Sequence, residues 1–241
     1  MPAWGHLKKK KSLPKSNVFV IKLDVQDHES IKNTIKAGID KYGKIDVLLS
    51  NAGYGAYGPL ETFSDEKIRR QFDVNVIGLL NVIWEIIPHF RKNKDGLLIN
   101  ISSVGGKMTL PFGTLYHETK FAVEGISEAL TYEFSEIGCK VKIVEPGAIR
   151  TDFGTRSFDF VNDESLTEYQ GLIGKFMKAT KPILENAPEP IIVAKVIYEA
   201  ATDGTDKIRY TAGEDAKQVV ELRKKLDDKE FIQNIKSMFG I

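Results

Sequence analysis

The chain has 241 residues, 42% of them hydrophobic, enough for one large domain with a buried core. A formal net charge of +1, from 34 basic and 33 acidic residues, leaves no electrostatic footprint for nucleic acid or an anionic membrane. No run of about 18 apolar residues offers a membrane span, and the first residues lack the apolar centre of a signal peptide, so a soluble, cytoplasmic protein is expected. The lone cysteine, Cys139, permits no internal disulfide and has no adjacent base; it reads as a small buried residue in a reducing compartment. The one dense basic run, Lys8 to Lys11 followed by Lys15, reads as a solvated helix end or frayed terminus.

The chain then alternates strand and helix patterns. Residues 18–23 are apolar and β-branched, and a strand is expected there, ending at Asp24. Ile31, Ile35 and Ile39 recur at fourfold spacing in a helix over 28–42, which Gly43 stops. A buried strand over 45–49 ends at Ser50-Asn51. A long helix over 65–90, a strand over 97–101, a second long helix over 115–137 capped by Gly138, and a strand over 141–144 closed by Glu145-Pro146-Gly147 follow. Residues 151–190 are mixed and aromatic, with Phe153, Phe158, Phe160, Tyr169 and Phe176, and read as a substrate lid. A helix over 191–201, a short strand over 208–210 and an amphipathic tail over 217–239 complete a single domain, 1–241. Short apolar strands separated by helices predict an α/β fold, a doubly wound parallel sheet with helices on both faces. Ligands bind beyond the carboxyl ends of such strands. Those positions here are Asp24, Asn51-Ala52-Gly53, Ser102-Ser103 and Pro146-Gly147.

The segment Gly53-Tyr54-Gly55-Ala56-Tyr57-Gly58 spells a dinucleotide fingerprint, and Asp73 lies 20 residues beyond Gly53. A true fingerprint must open a helix whose N-terminus meets the pyrophosphate. Pro59 follows instead, and the next helical pattern begins only near Ser64, so these glycines are expected to serve a turn.

Tyr116 and Lys120 lie four apart on one helix face. A lysine cation beside a phenol is expected to lower its pKa from about 10 toward working pH, making a proton donor to a carbonyl or an acceptor from an alcohol. Such a pair is also an ordinary surface feature of helices. Ser103 follows a strand and precedes Tyr116 by 13 residues; it can hydrogen-bond a reacting oxygen or simply occupy a turn. Asn75 sits within a helical pattern that it does not favour, as a polar kink, a water site or a satisfied buried amide.

Taken in order, Asn51-Ala52-Gly53, Asn75, Ser103, Tyr116 with Lys120, and Pro146-Gly147 with Thr151 resemble the motif series of the short-chain dehydrogenase/reductases, from about Val18 to Thr155 and more weakly beyond. Residues 103–112, with Tyr116, Lys120-Phe121-Ala122 and the late Arg209-Tyr210-Thr211-Ala212-Gly213, are similar to its 17β-hydroxysteroid dehydrogenase-like branch. The resemblance implies a Rossmann-like fold, NAD or NADP as cofactor, and hydride transfer between the nicotinamide and a secondary alcohol or ketone. It implies that Tyr116 is the general acid/base, that Lys120 tunes it and binds ribose, that Ser103 orients the substrate oxygen, and that Asn75 holds a relay water. Asp24 and Val25 would flank adenine. Asn51, Ala52 and Gly53 would line the cofactor, as Tyr116 and Lys120 also do, and Pro146, Gly147, Ile149 and Thr151 would cradle the carboxamide. No metal is implied. The partners implied are a small apolar alcohol or ketone and a second or further copies of the chain, a homodimer or homotetramer.

Only 23 residues precede Asp24, too few for the family's opening strand, glycine turn, helix and second strand. An N-terminally truncated sheet is therefore expected, with Lys8 to Lys15 as a remnant of the helix before Val18. A misplaced start, gene decay or a real truncated protein would each account for it, and the last admits a catalytically silent binding or scaffold protein.

Overall fold

The computed structural model describes residues 17–154 and 156–241; the basic run Lys8 to Lys11, Lys15 and Thr155 lie outside the described residues. Six strands occur among them, β1 (Val47–Ser50), β2 (Gly55–Tyr57), β3 (Leu97–Ile101), β4 (Lys140–Pro146), β5 (Phe158–Phe160) and β6 (Arg209–Ala212). The main sheet has the order β1-β3-β4-β6 with every pairing parallel. Strands β2 and β5 form a separate two-stranded parallel ladder. The eight helices are α1 (His28–Tyr42), α2 (Asp65–Phe72), α3 (Gly78–Asn93), α4 (Thr114–Glu136), α5 (Thr167–Glu185), α6 (Ile191–Thr202), α7 (Glu214–Lys225) and α8 (Asp228–Phe239).

Local chemistry explains most boundaries. The Asp27 side chain caps α1 by accepting the Glu29 N–H at 3.0 Å, and Gly43 ends it at φ 83°, where a side chain would be strained. Gly138 follows α4 at φ 74°, and a Cβ there would come within 2.8 Å of the Lys94 carbonyl oxygen. The expected helix over 65–90 is continuous but changes winding: a π-helical turn, Asp73–Ile77, joins α2 to α3. The amphipathic tail is two helices. Leu226 is extended, and Asp227 and Glu230 form a reciprocal capping box that starts α8.

Strands β3 and β4 are buried on both faces, whereas β1, expected to be buried, is an edge strand among the described residues, with Val47 and Leu49 exposed. Leu98 of β3 and Val141 of β4 face Ile31 and Ile35 of α1, Ile83, Ile86 and Phe90 of α3, and Phe134 of α4. Ile99 and Val144, their alternating neighbours, face α6 and Tyr210. The expected α/β architecture with helices on both faces is the observed one. Among the described helices none is long and apolar enough to cross a membrane.

The expected strand over 18–23 is not formed. Residues 17–24 have no ladder partner among the described residues. β-propensity describes fit to a pleated, half-buried surface, and without a neighbour to accept its backbone bonds the segment stays irregular. Val18, Phe19 and Val20 are exposed. The segment is tethered by side chains instead: Thr34 Oγ1 donates to the Lys22 carbonyl at 3.2 Å, and Asp24 N–H to Ser30 Oγ at 2.9 Å. Leu23 and Val25 pack on the α1–α3 core.

Phe90 is 0% exposed and stands edge-on to Phe134 at 6.4 Å. Phe90→Ala is expected to destabilise the fold by about 3–5 kcal/mol through lost transfer energy and a residual cavity, read as a lower urea midpoint with an unchanged slope.

Candidate active site

The carboxyl ends of β1, β3 and β4 bring Asn51, Ser103 and Pro146 to one edge of the sheet, and α4 lies across it. Tyr116 and Lys120 are one turn apart on the buried face of α4, each 8% exposed. The Lys120 ammonium donates to the Ile101 carbonyl at the end of β3, 3.0 Å away, and lies 5.9 Å from the Tyr116 ring centre. Ser103 caps the helical turn after β3, its Oγ accepting the Gly105 N–H at 3.0 Å and lying 3.5 Å from the Pro146 carbonyl oxygen.

Burial sets the protonation of this pair. It pushes the Tyr116 phenol up to about 12, and a hydrogen bond with the Ser103 hydroxyl draws it partly back. Burial pushes Lys120 down to about 8, opposed by the charge of Glu124. The Tyr116 phenol lies above its ordinary value, not below it as proximity to Lys120 led one to expect, because desolvation disfavours the charged form of both groups. The partner that lowers the phenol is Ser103.

Asn75 stands in the π-helical turn, 3% exposed. Its Nδ2 donates to the Tyr54 carbonyl at 2.9 Å and to Thr119 Oγ1 at 3.0 Å, and its Oδ1 accepts the Tyr54 N–H at 3.1 Å. Of the readings open in the sequence, the kinked position and the satisfied buried amide describe this geometry. The extra residue of a π turn re-aims a side chain, here inward onto the loop after β1 and onto α4. Gly53 lies close beside it, and a Cβ there would sit a tight 3.1 Å from Asn75 Oδ1.

The other anticipated residues spread along the same edge. Asn51 and Ala52 are exposed. Val25 lies against Gly78, where a Cβ would meet Val25 Cγ2 at 2.7 Å, and exposed Asp24 accepts the Gln26 N–H at 3.0 Å. Pro146, Gly147 and Ile149 are half-buried. Gly147 turns its α-carbon toward Asp215, 2.1 Å from where a Cβ would stand. Exposed Thr151 accepts the Phe153 N–H at 3.1 Å. The 53–58 glycines serve β2 and the turn after it. Gly58, at φ 148°, lets the chain pass the Val161 carbonyl oxygen, which a Cβ would approach to 2.2 Å.

Two features have no motif in the sequence. The first is an aromatic wall. Tyr57 lies 5.5 Å and Phe153 5.6 Å from Tyr116, ring centre to ring centre, and Phe158, Phe160, Phe176, Phe239 and Phe112 continue the cluster. The second is His117. Leu110 N–H donates to its Nε2 at 3.0 Å, so Nδ1 carries the proton and donates to the Gly105 carbonyl, 2.9 Å away. This neutral ring pins both ends of the loop between Ser103 and Tyr116. Within that loop Phe112 takes φ 63°, rare for a bulky residue, and its carbonyl accepts the Gly58 N–H at 2.9 Å. The adjacency of His117 to Tyr116 and the flanking glycines, Gly105 and Gly113, are the signals that a sequence reader had for it.

The buried Tyr116–Lys120 pair and Ser103 lie at the carboxyl edge of a parallel sheet, where open α/β folds bind their ligands. The short chain dehydrogenase family model matches residues 5–161, and the chain belongs to that family of oxidoreductases. It is 44% identical over 225 residues to an uncharacterized oxidoreductase of Schizosaccharomyces pombe, covering 93% of this chain and 94% of that one. It is 30% identical over 219 residues to 17-beta-hydroxysteroid dehydrogenase type 1 of Homo sapiens, covering 89% of this chain and 66% of the human one. A short-chain dehydrogenase from Streptomyces avermitilis superimposes with a TM-score of 0.72 at 30% identity, over 89% of this chain and 79% of that one. ElxO, solved with NADP bound, superimposes with a TM-score of 0.64 at 26% identity, over 82% and 78%.

Burial holds His117 below its ordinary value of 6.5. The unfolded chain therefore binds this proton first as pH falls, so the contribution is fully present above about pH 6.5 and is lost below it. His117→Gln is expected to cost roughly 1–3 kcal/mol at neutral pH through unsatisfied backbone groups. That deficit should shrink as pH falls below about 6.5. Urea unfolding of both proteins at about pH 7.5 and about pH 5.5 measures it, and a constant deficit would remove His117 from the account.

Proposed function

We propose that the chain interconverts a secondary alcohol and a ketone with NAD or NADP, and that Tyr116 gives or takes the proton at the substrate oxygen. The observation that carries this reading is the buried Tyr116–Lys120 pair with Ser103 at the carboxyl edge of the parallel sheet. ElxO, whose bound NADP is named with its structure, supports the cofactor class.

The residues at the edge suit the nicotinamide half of such a cofactor. Lys120 offers a buried ammonium for a ribose hydroxyl. Asn51 and Ala52 are exposed at the end of β1, and Thr151 adds a hydroxyl after Ile149. Asp24 and Val25 would border the adenine end. When bound, the nicotinamide supplies or accepts the hydride.

The chain's own groups manage the proton and the oxygen. With its phenol at about 12, Tyr116 stands neutral and protonated at working pH, which suits donation from Oη to a ketone oxygen as the alcohol forms. Ser103 Oγ, a partner of that phenol, would donate to the same oxygen and orient it. The Lys120 ammonium, at about 8, favours the phenolate left behind. Asn75 acts through Tyr54 and Thr119 to hold the loop after β1 against α4. The aromatic wall, with residues 151–190 supplying Phe153, Phe158, Phe160 and Phe176, excludes water and selects an apolar substrate. These segments and the sheet act as a single domain.

We further read the exposed apolar residues Ile77, Leu80 and Trp84 before and along α3, with Phe121 and Tyr132 on α4, as the face on which a second copy docks. Trp84 is 66% exposed, and contiguous apolar exposure marks interaction surfaces.

Tyr116→Phe should lower kcat by about 10²–10⁴-fold with little change in cofactor affinity, because only the phenol oxygen is removed. Reduced-nicotinamide absorbance with a panel of apolar ketones reads the rate. Turnover within a few-fold of the parent would refute the assignment, and a parent without turnover would favour a binding protein. Trp84→Asp should convert the dimer to monomer in sedimentation velocity. An unchanged sedimentation coefficient would move the interface elsewhere.

A further inference from the structure

Where β4 ends, the chain makes a turn whose backbone groups are held one after another. The Pro146 carbonyl oxygen lies 3.5 Å from Ser103 Oγ. Gly147 N–H donates to the Ala212 carbonyl of β6 at 3.1 Å. Ala148 N–H donates to Asp215 Oδ2 at 2.8 Å, and Arg150 N–H to the Pro188 carbonyl at 2.9 Å. Asp215 is the charged partner in this series, and it comes from 67 residues beyond Ala148.

The end of β6 delivers it. Ala212 pairs with Pro146 in the sheet, Gly213 turns the chain at φ 116°, and Asp215 is the second residue of α7. An acid in the first turn of a helix ordinarily supports that helix's own amides. Here its hydrogen bond crosses to another segment. Two glycines leave room for it. A Cβ on Gly147 would overlap Oδ2, and one on Gly213 would stand 2.5 Å from Oδ1. Each carboxylate oxygen therefore has a glycine α-carbon against it, one from the turn and one from the loop that carries Asp215. A backbone N–H bonded to a carboxylate makes a stronger contact than one bonded to a neutral oxygen, so the carboxylate is a firm anchor for the turn.

That turn borders the candidate site. It follows the carboxyl end of a parallel strand, where open α/β sheets bind ligands, and it begins beside Ser103. We propose that Asp215 is a positioning residue for the cofactor: without touching it, the carboxylate fixes the Gly147–Ala148 turn and thereby sets Ile149 and Thr151 against the nicotinamide carboxamide. The proposal rests on the functional reading above, which gives residues 146–151 to the nicotinamide end.

The test is calorimetry on the full chain with two ligands that differ only in the nicotinamide: the reduced dinucleotide and the matching ADP-ribose, or its 2′-phosphate if NADPH is preferred. Asp215→Ala should weaken the whole cofactor by roughly tenfold or more, as for a lost hydrogen bond to a charged group, and leave ADP-ribose binding unchanged. Asp215→Asn keeps an acceptor oxygen and should fall between Asp215→Ala and the parent. Without any ligand, hydrogen exchange at the Ala148 amide should quicken in Asp215→Ala. Asp215 is exposed, so both variants should fold. Equal losses for the two ligands would assign Asp215 to fold stability alone and overturn the proposal, as would unchanged affinities or unchanged exchange at Ala148. A parent that binds neither ligand sinks the functional reading and this proposal with it; a parent that binds both, with the same affinity ratio in Asp215→Ala, sinks only this one.

Discussion

The hydrogen bond from the Lys120 ammonium to the Ile101 carbonyl is the contact on which the rest of the site depends. A charge taken out of water must be partnered or it neutralises. The carbonyl of Ile101, the last residue of β3, accepts a hydrogen bond from that ammonium. Satisfying Lys120 there lays α4 across the carboxyl edge, and the helical repeat then delivers Tyr116 one turn earlier to the same edge. Ser103, two residues beyond Ile101, is brought to the phenol by the same geometry.

Water exclusion follows from that placement and shapes the chemistry. Tyr57 and Phe153 cover Tyr116, and both come from segments tied by the small β2–β5 ladder rather than by the main sheet. Gly55 N–H donates to the Ser157 carbonyl at 2.9 Å, and Val161 N–H to the Tyr57 carbonyl at 2.8 Å. The ladder therefore fixes how closely the aromatic segment sits over the phenol. Desolvation, not the neighbouring lysine, governs the tyrosine. It keeps the phenol protonated and disfavours the charged form of the lysine.

The loop between Ser103 and Tyr116 carries the strain this arrangement needs. His117 bonds both ends of it, and Phe112 is held at positive φ within it. Conformations of this kind persist only where surrounding contacts over-determine them. The contacts are visible: the Gly58 hydrogen bond, and the Phe160 and Phe176 rings at 6.3 and 5.6 Å from Phe112.

Sequence alone determined the features set by local rules. The fourfold apolar spacing of Ile31, Ile35 and Ile39 made α1, Gly43 and Gly138 ended their helices, the 97–101 run became β3, and the Tyr116–Lys120 interval put both on one face, because each depends on backbone period and near neighbours. The absence of an α-helix opening at Gly58 was legible for the same reason. Tertiary structure decided what depends on distant atoms. Residues 18–23 have strand composition but no pairing partner among the described residues, and a strand exists only as a pair. The π turn at Asn75 answers to Tyr54 and Thr119, 21 and 44 residues away. The phenol rises where proximity to lysine predicted a fall, because the rings that cover it, Tyr57 and Phe153, come from segments distant in sequence. Glu124 meets Arg209 across 85 residues. Burial and long-range charge are sums over the whole fold, and no window of sequence contains their terms.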